Sequence, residues 1–315
     1  MQAKAVIGRA ASPLALLAAV ALAGCGLGAG RAPSAVELSV TRDFGASPLP
    51  RSGALKISGQ ETAMSLLRRN HGVQTRYGGA FVQSVDGLAG GEEAGKPVDW
   101  FYYVNGVEAS KGAASSNVDP GDHIWWDRHD WSQTGYIPAV VGSFPEPFLN
   151  GIGGKRLPVR IECAVVRGYA CRTVAERLHA LDIPAARAGV GIGGATATLR
   201  LLVGRWEQVV GDLDARRIAD GPRMSGVYAR FSADGHTLTL LDQDGHAVRA
   251  LSAGAGLVAA TRRAENAPVW VITGTDDAGM NLAARAFDQS TLRDHFAVAL
   301  AAGETVALPA RVTKP

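Results

Sequence analysis

The sequence predicts an α+β chain: a small grasp-like β-rich domain with one helix, followed by an α/β layered domain. Three observations lead there. Residues 36–131 run as strands, one helix and further strands. Residues 155–315 alternate strand-like and helical stretches, the pattern of an α/β layer. Between them, residues 132–154 hold Pro138, Pro145, Pro147 and several glycines without apolar periodicity, and read as an ordered connector packed across both parts. With 315 residues and 47% hydrophobic content, the chain has enough apolar material for real cores, which excludes a disordered tail or a collagen-like fibre. A net charge of only +3 with no basic run excludes a nucleic-acid binder, because phosphate binding needs clustered Lys and Arg.

Residues 1–24 read as an export signal. Lys4 and Arg9 supply a positive start, and residues 14–23 are unbroken apolar. That run is about half of what a membrane span needs. Small residues then precede Cys25, the pattern of a cleaved secretory signal. Leu22-Ala23-Gly24-Cys25 resembles the lipobox of bacterial lipoproteins, which implies cleavage before Cys25, lipidation of its thiol and residence on the extracytoplasmic face of the cell membrane. Residues 25–35 are then a lipidated tether. Cys163 and Cys171 remain as an even pair in an oxidising compartment, and a disulfide is expected.

Val36, Leu38 and Val40 alternate with polar residues, a strand with one buried face. Ser58 and Glu61 form a capping box for a short helix carrying Ala63, Leu66 and Leu67, with Ile57 as staple. Residues 100–104, Asn105-Gly106 and Val107 make a hairpin with a type I′ turn. Asp119-Pro120-Gly121-Asp122 is a second tight turn before a strand over 123–131. Farther on, strands are expected at 159–163, 198–203, 227–231, 238–241, 256–260 and 269–273, and helices at 172–181, 213–219, 279–287 and 291–300.

The aromatic residues concentrate strongly. Trp100, Phe101, Tyr102, Tyr103, Trp125, Trp126 and Trp131 fall within 32 positions. On a strand, Trp100, Tyr102 and Val104 point one way and Phe101, Tyr103 and Asn105 the other. One face fills a small core; the other is an aromatic strip for a flat or apolar partner, unless the connector or the second domain covers it. The favoured contact set is Phe101, Tyr103, Asn105, Trp125 and Asp127, with Asn105 alternatively only a turn residue. His123 and Asp127 stand about 13 Å apart on a strand, too far for one ion, so the 123–130 segment reads as a surface ion-pair network with Arg128 and no metal site is expected.

Residues 189–194 match the dinucleotide fingerprint by letters, but a strand-like stretch follows where a helix is required, so this is a loop. Residues 274–279 sit between a strand and a helix, where α/β sheets place ligands; an Asp N-cap is the simpler reading. No nucleophile elbow, Walker loop or zinc-protease motif is present, and no catalytic residue or required cofactor is assigned.

Residues 73–79 (Val-Gln-Thr-Arg-Tyr-Gly-Gly), 81–87, 99–106 (Asp-Trp-Phe-Tyr-Tyr-Val-Asn-Gly) and 120–126 together resemble the transcobalamin-like C-terminal domain family. The resemblance covers residues 36–131 and implies a grasp-like fold. It also implies cobalamin, or another flat amphipathic molecule, as a ligand; supply of that ligand to an uptake transporter fits an exported, anchored binding protein. The chain lacks the α-helical barrel that completes the cobalamin site in the vertebrate carriers. A cell-surface module contacting protein or glycan is the alternative. If Cys25 carries the lipid, Cys25→Ser abolishes lipid labelling and releases the protein from membranes; the variant's retention in the membrane fraction would overturn the anchor.

Overall fold

The computed structural model describes residues 1–2, 34–57, 59–192 and 196–311. Cys25, most of its tether and Ser58 lie outside them. Among the described residues no helix is long and apolar enough to cross a membrane.

The first sheet is built on a parallel pair. Ala35–Arg42 lies beside His123–Asp130 in register from Glu37↔His123 to Arg42↔Arg128. Lys96–Val104 runs antiparallel on the other side of His123–Asp130. Short strands Gly91–Glu93 and Val107–Glu108 fold back on Lys96–Val104, and Ser47–Pro48 and Gly53–Lys56 on Ala35–Arg42. Both expected turns form. Asn105 and Gly106 take φ of 54° and 75°, the type I′ requirement. Asp122 N–H returns to Asp119 O at 3.0 Å across Pro120-Gly121.

Helix Ala63–Asn70 packs Ala63, Leu66 and Leu67 against Val36, Leu38, Val40, Trp100, Tyr102, Ile124 and Trp126. Its cap is not the expected one. Thr62 accepts from Ser65 N–H, and Ser65 returns the bond to Thr62 N–H, so the capping box starts four residues later than expected.

The second sheet has the order Ala185–Gly189, Val159–Cys163, Leu199–Arg205, Val269–Gly274, Gly256–Thr261, Ala297–Ala301, Glu304–Leu308. The first four strands are parallel and the remainder antiparallel. Helices Tyr169–His179 and Asp277–Arg285 cover one face. Cys163 and Cys171 are disulfide-bonded, tying the end of one strand to the first turn of the following helix. Asp276 caps Asp277–Arg285 through Gly279 N–H at 2.8 Å. The expected helix over 291–300 is instead a single turn, Gln289–Leu292, followed by strand Ala297–Ala301. Alternating Ala, Val and Leu suits either state, and ladders to Gly256–Thr261 and Glu304–Leu308 select the strand. Three edge strands, Ala185–Gly189, Ala247–Leu251 and Glu304–Leu308, were not expected.

The described residues from 34 to 311 form one compact unit. Most of the second face of the first sheet is covered. Tyr103 and Trp125 share a core with Leu202, Tyr228, Leu257, Phe296 and Ala297 of the second part. The connector serves both cores, Ile137 and Val140 going to one and Val141, Phe144 and Phe148 to the other. At Gly142 an added Cβ would lie 2.7 Å from both His295 N and Trp125. Gly45 is tighter still: φ is +83° and a Cβ would sit 1.8 Å from Asp294 O. Gly45→Ala therefore combines backbone strain with a clash across the seam, and should cost about 3 kcal/mol or more by chemical denaturation. Gly189→Ala, with nothing within 4 Å, is the control that leaves stability unchanged.

Candidate binding site

The structure buries the residues expected to form an open strip. Tyr103, Asn105, Trp125 and Asp127 are each 0% exposed, and Phe101 is half-buried. Tyr103 and Trp125 pack edge-on to Phe296, with ring centroids 5.6 and 5.1 Å away. Asn105 does more than turn the chain: its Nδ2 donates to Asp122 Oδ1 and Gly151 O, and its Oδ1 accepts from His123 N–H, all at 2.8 Å. Asp127 accepts from Thr41 Oγ1 and from Phe44 and Gly45 N–H, and pairs with His129 Nδ1 at 2.8 Å. The expected surface network is thus an internal one. Arg128 is not part of it and goes to Glu93 Oε2 and Ala89 O. Burial among apolar groups drops the His123 imidazole to about 4.

Phe101 alone of that set reaches an opening. A cleft of about 400 Å³ runs along the outer edge of strand Lys96–Val104. Trp100, Phe101 and Tyr102 form its floor with Trp126; Phe81 and Val82 form one wall, and Glu108, Ala109, Gly112 and Trp131 the other. Trp131 is 39% exposed and stands at the rim. The floor is rigid. Tyr102 stacks on Trp126 at 4.7 Å, its hydroxyl bonded to Lys111 O and Ser116, and Trp100 Nε1 donates to Leu88 O at 3.0 Å. Trp126 Nε1 is buried with no partner.

Two acids and no base line the cleft. Burial pushes Glu108 up to about 8, against the pull of Ile137 N–H on its Oε2 at 2.6 Å. Burial also raises Asp99, partly offset by the Trp131 indole. At neutral pH most Glu108 is therefore a protonated carboxyl able to donate as well as accept.

Residues 60–130 match the family described as Domain of unknown function (DUF4430). The matched segment contains the cleft floor and Glu108; strand Ala35–Arg42 and Trp131 fall outside it. No curated protein matches the chain. Among solved structures, a presumed metal-binding protein from Ruminococcus gnavus ATCC 29149 is similar at 14% identity, over 33% of this chain and 99% of that one, with a TM-score of 0.24.

Two other polar clusters are held by partners within the chain. Asp242, Asp244 and His246 bring ligand atoms within 4.8 Å of one another. However, Asp242 Oδ1 caps the Asp244 and His246 N–H groups and Lys96 bonds Asp244. Arg200 fills the space among Glu162, Asp212 and Asp214. The fingerprint-like glycines follow strand Ala185–Gly189 and lead to another strand, not a helix; Gly193 and Gly194 lie outside the described residues.

Sequence reasoning named the cleft aromatics but not the cleft. A usable signal existed: Ala94-Gly95 and Asn105-Gly106 are two hairpin turns bracketing one long strand with very short partners. Because folding raises Glu108 from 4.5 to about 8, the stability it contributes is complete below about pH 4.5 and is lost as pH rises through 8. Glu146, raised by burial to about 7, acts in the same direction. Thermal melts from pH 4.5 to 9 should fall for the parent and fall less steeply for Glu108→Gln.

Proposed function

We propose that this chain is an exported, lipid-anchored, non-enzymatic binding protein on the extracytoplasmic face of the cell membrane, holding a flat amphipathic ligand in the cleft beside Trp100. One observation carries the reading. Rigid aromatic rings line an opening of about 400 Å³ in a sheet whose two faces are otherwise taken up by packing. Concave apolar sites with a few fixed polar groups are where ligands bind. The apolar floor suits the body of such a ligand, and Glu108 and Asp99 suit its polar margin. Cobalamin is the first ligand to test, on the family resemblance of residues 36–131, and delivery to an uptake transporter accounts for the anchor.

The test is titration of soluble Cys25→Ser protein with cobalamin, followed by tryptophan fluorescence and calorimetry. Gly112 lies at the cleft with only Ala80 O within 4 Å of an added Cβ, so a side chain can start there, and Gly112→Trp sets an indole at the opening. It should weaken binding tenfold or more at unchanged melting temperature. Trp131→Ala should cost about tenfold, the worth of one aromatic contact. Equal binding by Gly112→Trp and the parent would place the site elsewhere.

A further inference from the structure

The cleft has a main-chain side as well as an aromatic one. Strand Gly91–Glu93 pairs with Lys96–Val104 only as far as Val98. Val107–Glu108 pairs with Val104 and Tyr103, and Ala109 N–H reaches Tyr102 O at 3.1 Å. On this outer edge, between the two hairpins, no strand among the described residues pairs with residues 99–101. The opposite ladder is regular from Ile124↔Val104 to Asp130↔Val98. Successive residues of an antiparallel strand turn their N–H and C=O to opposite sides. Asn105 N–H bonds His123 O, and Tyr102 O bonds Ala109 N–H. Residues 99, 101 and 103 therefore address His123–Asp130, and Trp100 addresses the cleft.

Side chains divide in the same way. Trp100 and Tyr102 lie on the helix-covered face of the sheet, and Phe101 on the other. Asp99 and Glu108 share the Phe101 face, Glu108 standing opposite Tyr103. A strand laid along this edge, about 4.8 Å away, would send alternate side chains to the two groups. Its second face would meet an aromatic ring flanked by Asp99 and Glu108 with no Lys, Arg or His among the lining residues, where an incoming cation favours the ionised form of both carboxyls.

Resting on the reading of this cleft as the binding site, we infer that, besides a flat amphipathic molecule, it takes an extended segment of a partner polypeptide. About four residues, apolar on one face and carrying an aromatic and a basic residue on the other, would pair with Trp100 as an added strand. Main-chain pairing supplies the affinity, and the two faces supply the specificity.

Acetyl-Val-Phe-Val-Lys-Val-amide is the probe, titrated into soluble Cys25→Ser protein with fluorescence for affinity and hydrogen exchange at Trp100 N–H for pairing. Binding should slow Trp100 exchange tenfold or more, and Gly112→Trp should abolish the effect. Two doubly N-methylated peptides separate β-addition from simple apolar contact. One is methylated on the phenylalanine and lysine nitrogens, the other on those of the central and final valines. One parity should lose tenfold or more in affinity and the other should bind as the parent peptide does. Equal loss at both parities, or binding without protection of Trp100, overturns the inference. If cobalamin binds and the peptide does not, the inference fails and the cleft reading stands. If neither binds, both fail.

Discussion

Strand His123–Asp130 is buried at all eight positions although its sequence carries two histidines, two aspartates and an arginine. That constraint organises the molecule. A strand with charged side chains on both faces is stable inside only if those side chains find partners, and Asp127 shows how this is met. Its two oxygens take the Thr41 hydroxyl and the Phe44 and Gly45 N–H groups, and hold His129. The 43–45 turn, three consecutive residues at positive φ, is thereby pinned. Phe44 is delivered into the seam, against His129, Tyr228 and Phe296. The polar core thus positions the apolar one: one carboxylate sets the turn, and the turn sets the contact between the two sheets.

The location of the opening follows. Helix Ala63–Asn70 covers one face of the first sheet and the second part covers the other, so only the edges remain for recognition. On the Ala35–Arg42 side, Ser47–Pro48 and Gly53–Lys56 occupy the edge. On the Lys96–Val104 side, two hairpins protect the ends and leave the middle free. Exposed edges are ordinarily a liability for uncontrolled pairing. A gap of a few residues, walled by rings, limits what can enter.

Much of the fold was legible because local chemistry decides it. Asn105-Gly106, Asp119-Pro120-Gly121-Asp122 and the Asp276 cap each rest on a residue type that suits one backbone conformation. Even the face parity of Trp100, Phe101, Tyr102 and Tyr103 could be read from period-two geometry. What covers each face could not, because Phe296 and Tyr228 meet Trp125 or Phe44 only after more than a hundred intervening residues. The same reason explains the misread 291–300 stretch and the unforeseen edge strand Ala185–Gly189, whose state is set by partners distant in sequence. Ligand-site expectation failed with burial: aromatic density marked a seam, and the opening lay along the strand edge that the bracketing turns left bare.

The shared seam also bears on what can be inherited or engineered as a module. The family match begins at residue 60, after strand Ala35–Arg42 has ended. A cassette cut there would lose the parallel neighbour of His123–Asp130 and bare the Tyr103 and Trp125 rings that Phe296 covers. Such a piece would present adhesive surface of its own, and any affinity it displayed in a screen would report the cut. In this chain the transplantable unit extends from residue 35 to the strand that follows Phe296.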